Sequence, residues 1–380
     1  MQDNKNFLIS GLNPNEGGTG DFFSYLILIN NKNNYNYHII FPVNPIQSKN
    51  IFKKIYNFFI KKIFYKKDYN GFQVYNLFKK IKNIYNSEVI LLHPQTLGYR
   101  IVLQLLKNNN KIKYYVLDNS FFCIRSYNYH STQIECRKCL GFKESPFEDC
   151  MPFPISTDKE LLLFRMKQIS NYLNSITFYT QNKYQTKLLE FHFTKNINVK
   201  QIGMWTDSLN QLENYYPQNH DIFKRIVFHG SIHEAKGFKF ITELAIRLPD
   251  IEIIIPIFPG HSFTNIPKNI IYKIMNWETG LKDLIETSYL TICPSLWSAA
   301  NEAALIKSIL IAPKVAVVDL EFGFNREISN DLITKLDKDI HKAVNQISNI
   351  MSNFEPTPFE LRKNWLDEYY SKCDMESLFK

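Results

Sequence analysis

The sequence predicts an α/β protein of two doubly wound domains followed by a C-terminal helix. Three observations carry this. Apolar runs of strand length alternate with helix-compatible stretches, which calls for parallel sheets covered on both faces. The alternation restarts after a polar, proline-bearing stretch, Asp207–Lys224. The length of 380 residues suits two domains. The domains are placed at 1–205, with a cysteine-rich insert over 118–155, and at 206–380 with the terminal helix.

In the first half, Phe7–Ser10 opens the sheet and a glycine-bearing turn leads to a helix from Asp21. Further strands are expected at Tyr37–Val43, Val89–His93, Tyr114–Asp118 and Ile176–Thr180. Helix-like stretches at Leu97–Leu106 and Lys159–Leu173 lie between them. In the second half, Arg225–His229 leads through a turn to a helix at Phe238–Leu248. Strands Ile251–Ile257, Ile270–Ile274 and Leu290–Cys293, a helix Glu302–Ile309 and a strand Lys314–Val318 follow. The tail Phe359–Tyr370 reads as a helix that either caps its own domain or packs back on the first.

Composition excludes several classes. With 45% apolar and 21% charged residues the chain is not intrinsically disordered, and 13 Gly and 16 Pro exclude collagen-like structure. No apolar run reaches the roughly 18–20 residues that span a bilayer. The N-terminus lacks a basic segment followed by an apolar one, so a cytoplasmic protein is expected, with its six cysteines reduced or metal-bound. The net charge of +9 is uneven. Residues 1–205 hold 27 Lys+Arg against 13 Asp+Glu, and residues 206–380 hold 18 against 23. The basic half therefore suits an anionic surface, although a lysine-rich, AT-biased composition produces the same excess.

Two turns carry phosphate-type chemistry. Gly17-Gly18-Thr19-Gly20 lets the backbone approach an anion ahead of a helix N-terminus, but it completes no known phosphate loop and is equally a tight structural turn. Gly230-Ser231-Ile232-His233-Glu234-Ala235-Lys236-Gly237 places a small residue at a strand end and a cation at a helix start. From there Lys236 reaches a diphosphate, or is a surface lysine of a βα loop. Further on, Cys293-Pro294-Ser295-Leu296-Trp297-Ser298 enters a helix whose first turn carries Glu302. That carboxylate accepts hydrogen bonds from sugar or ribose hydroxyls, or merely complements the helix dipole.

A strand-Gly-x5-Lys-Gly turn followed some sixty residues later by Pro-Ser-Leu-Trp resembles the C-terminal domain of retaining GT-B glycosyltransferases, the family 4-like class in particular. The resemblance implies two Rossmann-like domains, an acceptor-side domain first and a nucleotide-sugar donor-binding domain second. It implies that Lys236 holds the donor diphosphate, helped by Gly230, Ser231 and Gly237, and that Ser298 to Glu302 holds sugar and ribose. It assigns Gly17 and Gly18 to the neighbourhood of the transferred sugar. Asp118, ending a strand before a cysteine-bearing insert, is implied as catalytic beside Lys236. No catalytic metal is expected. The sequence departs from the class in two places: Ser231 stands where a cation is usual, and Ser298 and Ile306 occupy the positions of the usual Glu-x7-Glu pair.

Cys123, Cys136, Cys139 and Cys150 fall within 28 residues as C-x12-C-x2-C-x10-C. The C-x2-C knuckle suits one structural zinc, against the alternative of four free thiols. Between Lys49 and Lys82 lie ten lysines and one acid, Asp68. On a helix Phe52, Ile55, Tyr56, Phe59 and Ile63 share a face while Lys53, Lys54 and Lys61 point elsewhere. Such a segment suits an anionic membrane surface, with nucleic acid and simple core packing as rivals. The expectation is therefore a glycosyltransferase, peripheral on the cytoplasmic membrane face, using a glycan or lipid-linked acceptor in cell-surface polysaccharide synthesis and no nucleic acid. A zinc-containing nucleic-acid-binding protein and a non-catalytic sugar-nucleotide-binding relative are the alternatives.

Overall fold

A computed structural model describes residues 5–14, 17–42, 72–153, 157–194, 197–218, 220–260, 267–298 and 300–380. Most of the basic aromatic segment, including Lys53, Lys54, Lys61 and Lys62, lies outside the described residues, as do Val43 and Ala299. The chain forms two compact units. The first takes in residues up to Asn128, Cys136–Asp207 and Cys373–Lys380; the second takes in Tyr129–Glu135 and Ser208–Lys372.

Each unit is built on a six-stranded sheet whose neighbouring strands all run parallel. The strands of the first are β1 (Phe7–Ser10), β2 (His38–Ile40), β3 (Glu88–Leu92), β4 (Lys111–Tyr115), β5 (Ile176–Thr180) and β6 (Asn198–Gln201), in the order β2-β1-β3-β4-β5-β6. Val89, Ile90, Leu91 and Leu92 are all fully buried, because helices cover both faces of a central parallel strand. Each such side chain contributes roughly 1.5–3 kcal/mol of burial. The edge strands read differently. Asn198-Val199-Lys200-Gln201 holds one apolar residue and keeps its side chains at least partly exposed, which is why no apolar run announced β6.

The second sheet comprises β7 (Phe223–Phe228), β8 (Glu252–Ile257), β9 (Ile270–Ile274), β10 (Ser288–Cys293), β11 (Val315–Val318) and β12 (Thr334–Leu336), in the order β12-β11-β10-β7-β8-β9. Its centre is again apolar: Ile226, Val227, Ile253, Ile254, Leu290 and Ile292 are fully buried. The edge strand β12, with one apolar residue in three, escaped the sequence reading for the same reason as β6.

Three boundaries move. The glycines expected as a turn before the first helix form its first turn, since the helix spans Gly17–Lys32. β4 ends at Tyr115, so Asp118 lies in the loop beyond it. The tail divides: the helix Phe359–Ser371 stays in the second unit, where Arg362 donates to the carbonyls of Leu310 (2.7 Å) and Ala312 (2.8 Å). Residues Cys373–Lys380 belong to the first unit, where Asp374 N–H donates to Ile202 (2.8 Å) and Phe379 stacks on Tyr35. Among the described residues no helix is long and apolar enough to cross a membrane.

Candidate functional site

In the second unit the chain leaves β7 on one side toward β8, while β10 pairs on the other. A crevice at the carboxyl ends of two strands that part in this way is where open α/β sheets bind ligands. The residues gathered there come from two segments. His229 to Gly237 forms the exit from β7, with His233 Nδ1 accepting from Ala235 N–H at 3.1 Å. Gly237 has φ +78°, and a Cβ there would lie 2.0 Å from the carbonyl oxygen of Pro294. That contact needs glycine, and it lays the turn directly on the exit from β10. Leu296 N–H donates to Ala235 (2.9 Å) and stitches the two segments together.

Lys236 and Glu302 are thereby brought into contact, Nζ to Oε1, at 2.7 Å. The Lys236 ammonium also sits 4.0 Å from the centre of the Trp297 ring, and Ser295 Oγ donates to the same Glu302 oxygen. Glu302 precedes the helix Ala303–Ile311, and its side chain caps no backbone N–H there. Ser295, Trp297, Ala300 and Glu302 line a small pocket, partly open to solvent, whose other wall is Val317, Leu320 and Phe324. Of the other expected residues, Gly230 lies against the Phe228 ring, Ser231 is exposed, and Ser298 is buried with its carbonyl accepting from Ala300. Ile306, at the second position of the usual acid pair, is fully buried in the core. Beside this site, His229 accepts or donates at 2.8 Å to Ser308 and stacks on Trp277. Burial, reinforced by the Lys307 charge, lowers His229 to about 3, so the ring is neutral.

The first unit holds a second polar cluster, around the expected Asp118, whose other members, His93, Gln95 and Thr96, the sequence reading missed. His93 follows β3 with φ 51°, a left-handed conformation uncommon outside glycine, and Pro94 starts a short helical turn. The His93 Nδ1 lies 2.5 Å from Thr96 Oγ1, and Thr96 Oγ1 donates to the His93 carbonyl (3.1 Å). Gln95 Nε2 lies 3.1 Å from His93 Nε2 and donates to Asp118 Oδ2. Asp118 Oδ1 accepts from Ser120 N–H at 3.0 Å. One protonation pattern satisfies all of these: a neutral imidazole with the proton on Nδ1. Burial lowers His93 to about 3, which agrees. Burial raises Asp118 to about 6, against the hydrogen bonds from Ser120 and Gln95 that favour its charge. Gln95 Oε1 is buried without a partner among the described residues. The available signal was a polar His-Pro-Gln directly after four apolar strand residues. Gly17 and Gly18 are exposed at the start of their helix, and a Cβ at either would meet no described residue within 4 Å.

All four clustered cysteines belong to the first unit and are free thiols. Cys139 is raised by burial and by the neighbouring Cys123, Cys136 and Cys150. Among the described residues, however, no three His, Cys, Asp or Glu side chains are grouped to hold a metal ion. Four thiols are donor chemistry that suits zinc, and no step is routed through a metal.

The two six-stranded parallel sheets with their helices have the GT-B fold, which solved structures share. A sucrose-phosphate synthase from Thermosynechococcus elongatus matches with a TM-score of 0.64 at 12% identity, over 99% of this chain and 96% of its own. Anabaena HepE in complex with UDP-glucose matches with a TM-score of 0.59 at 10% identity, over 98% and 97%. A UDP-forming alpha,alpha-trehalose-phosphate synthase from Burkholderia vietnamiensis matches with a TM-score of 0.54 at 10% identity, over 99% and 97%. No family model and no curated protein sequence matches the chain.

Proposed function

We propose that the protein is a glycosyltransferase that moves a sugar from a nucleotide-sugar to an acceptor hydroxyl. The observation that carries this is the Lys236–Glu302 pair beside a pocket at the carboxyl ends of β7 and β10. A lysine there suits a diphosphate and a carboxylate suits sugar hydroxyls. Solved neighbours of the same fold were crystallised with UDP and UDP-glucose, which supports a nucleotide-sugar ligand. The finer reading is retention of configuration, in the manner of the family 4-like class. The acceptor oxygen bonds to the anomeric carbon while the bond to the diphosphate breaks with its electron pair, and the hydroxyl proton passes to the departing phosphate oxygen. Lys236 stabilises the charge that grows on that diphosphate. Asp118 is assigned the second catalytic role on the resemblance alone. The acceptor is read as a glycan or lipid-linked sugar at the cytoplasmic membrane face, reached through the basic segment 49–82. Co-sedimentation with anionic vesicles that survives reversal of Lys53, Lys54, Lys61 and Lys62 to Glu would remove that attachment.

The deciding experiment is turnover and calorimetry over a panel of nucleotide-sugars, with Lys236→Met alongside. Transfer or hydrolysis of one donor, lowered about 100-fold in the variant, is expected. Wild-type nucleoside diphosphate binding in Lys236→Met would remove the donor site from this place. A second reading, a non-catalytic sugar-nucleotide binder, is favoured by the burial of Ile306, which leaves no acid at that position. Donor binding without turnover on any acceptor would select it.

The four cysteines are proposed as a structural zinc site that closes on the ion. Metal analysis should give about one zinc per chain, lost with Cys136→Ser and Cys139→Ser together with thermal stability; metal-free protein of equal stability contradicts this.

A further inference from the structure

We propose that Glu302 makes the site discriminate between an intact nucleotide-sugar and the nucleoside diphosphate left after transfer, by competing with the diphosphate for Lys236. This rests on the donor-site reading above.

The argument is one of charge and valence inside the second unit. Lys236 and Glu302 expose only 19% and 13% of their side chains, so their attraction is screened less than that of a surface pair. Both donors that Glu302 receives, the Lys236 ammonium and the Ser295 hydroxyl, fall on Oε1. Its second oxygen takes none among the described residues, although the residue lines the pocket. The carboxylate is thus half satisfied and has one oxygen left for a hydroxyl donor. Cations are scarce in the same turn. The residue after the strand-end glycine is Ser231, and no Lys or Arg is among the residues that line the pocket.

A diphosphate entering this site must share Lys236 with a carboxylate, and the two anions repel. What the ligand brings besides its phosphates then decides its affinity. A sugar hydroxyl that donates to the unfilled oxygen of Glu302 stabilises the carboxylate charge and offsets the repulsion. A nucleoside diphosphate has no sugar beyond its phosphates, so Glu302 draws Lys236 back toward itself and the spent nucleotide is weakened. The acid therefore acts as a specificity-determining residue, favouring substrate over product at a single lysine.

Calorimetry with UDP, UDP-glucose and inorganic pyrophosphate tests this on the wild type, Glu302→Gln, Glu302→Ala and Lys236→Met. Pyrophosphate reads the phosphate site whatever the natural base. Glu302→Gln, which keeps the shape and removes the charge, should bind UDP and pyrophosphate roughly fivefold or more tighter. It should also lose the preference for UDP-glucose over UDP, and Glu302→Ala reports the same comparison should the Gln variant fold poorly. Unchanged or weaker pyrophosphate binding in both Glu302 variants, with Lys236→Met defective, overturns the inference and leaves the donor site standing. If Lys236→Met binds all three probes like the wild type, or the wild type binds none, the donor site falls and the inference with it.

Discussion

The two units carry the same architecture and opposite electrostatics. Each is a six-stranded parallel sheet with a carboxylate just past the carboxyl end of a central strand, Asp118 after β4 and Glu302 after β10. Glu302 meets an ammonium at 2.7 Å. Among the described residues Asp118 pairs with no Lys or Arg; it meets the Gln95 amide, the N–H and hydroxyl of Ser120, and a neutral imidazole 3.9 Å away. Topology places a carboxylate in both crevices, and the side chains around it decide whether it works as an ion-pair partner or as a group that titrates near neutrality. The fold sets the position and the local chemistry sets the function.

The largest expected effect breaks the second site at its backbone. In Gly237→Ala the new methyl would sit 2.0 Å from a main-chain oxygen, at a φ of +78° that alanine resists. Neither Pro294 nor the turn can yield without parting the segments that Leu296 N–H ties together. A loss of about 3 kcal/mol or more in stability is expected, with donor binding abolished. Denaturant unfolding that matches the wild type would mean that the turn does not rest on β10.

The next effect sharpens the first site. Asp118 is raised from 3.8 to about 6 by burial, so its folded-state pKa exceeds its unfolded value. The native state then binds more protons than the unfolded state between those values, and stability falls as pH rises through that window. The favourable protonated form is fully present below about pH 4 and gone above about pH 6. Relative to Asp118→Asn, the wild type should therefore lose about 2–3 kcal/mol between pH 4 and pH 7.5. Denaturant midpoints of both proteins at the two pH values measure it. A difference that stays constant with pH would mean that a cation compensates Asp118.

How far the sequence reveals such sites depends on what each site is made of. The second was legible because its parts are contiguous motifs, with Lys236-Gly237 at a helix start and Pro294 to Glu302 at another. The contact between Lys236 and Glu302 was not legible, since it spans 66 residues and depends on Gly237 resting on Pro294. The first cluster was half seen. Asp118 stood out, while His93 and Gln95 looked like the end of an apolar strand, and only β3 lying beside β4 brings them to it. Central strands were plain because burial on both faces writes a continuous apolar run. β6 and β12 were not, because an edge strand needs no such run.

The smallest effect tests the comparison at its glycines. Gly17 has φ +65° like Gly237, but a Cβ there meets no described residue within 4 Å. Gly17→Ala therefore carries only the left-handed backbone penalty, about 1 kcal/mol, partly offset by the reduced freedom of the unfolded chain. That small cost makes the variant informative. The methyl projects into space no described residue occupies, so any loss of turnover beyond the change in stability reports a ligand approaching the helix N-terminus. Thermal unfolding and steady-state rates measured together separate the two contributions. Rates that fall tenfold or more while stability moves by about 1 kcal/mol would place the reacting sugar at Gly17 and Gly18. Unchanged rates would leave that turn a purely structural start to its helix, and the two glycine turns would then differ in function as they already differ in packing.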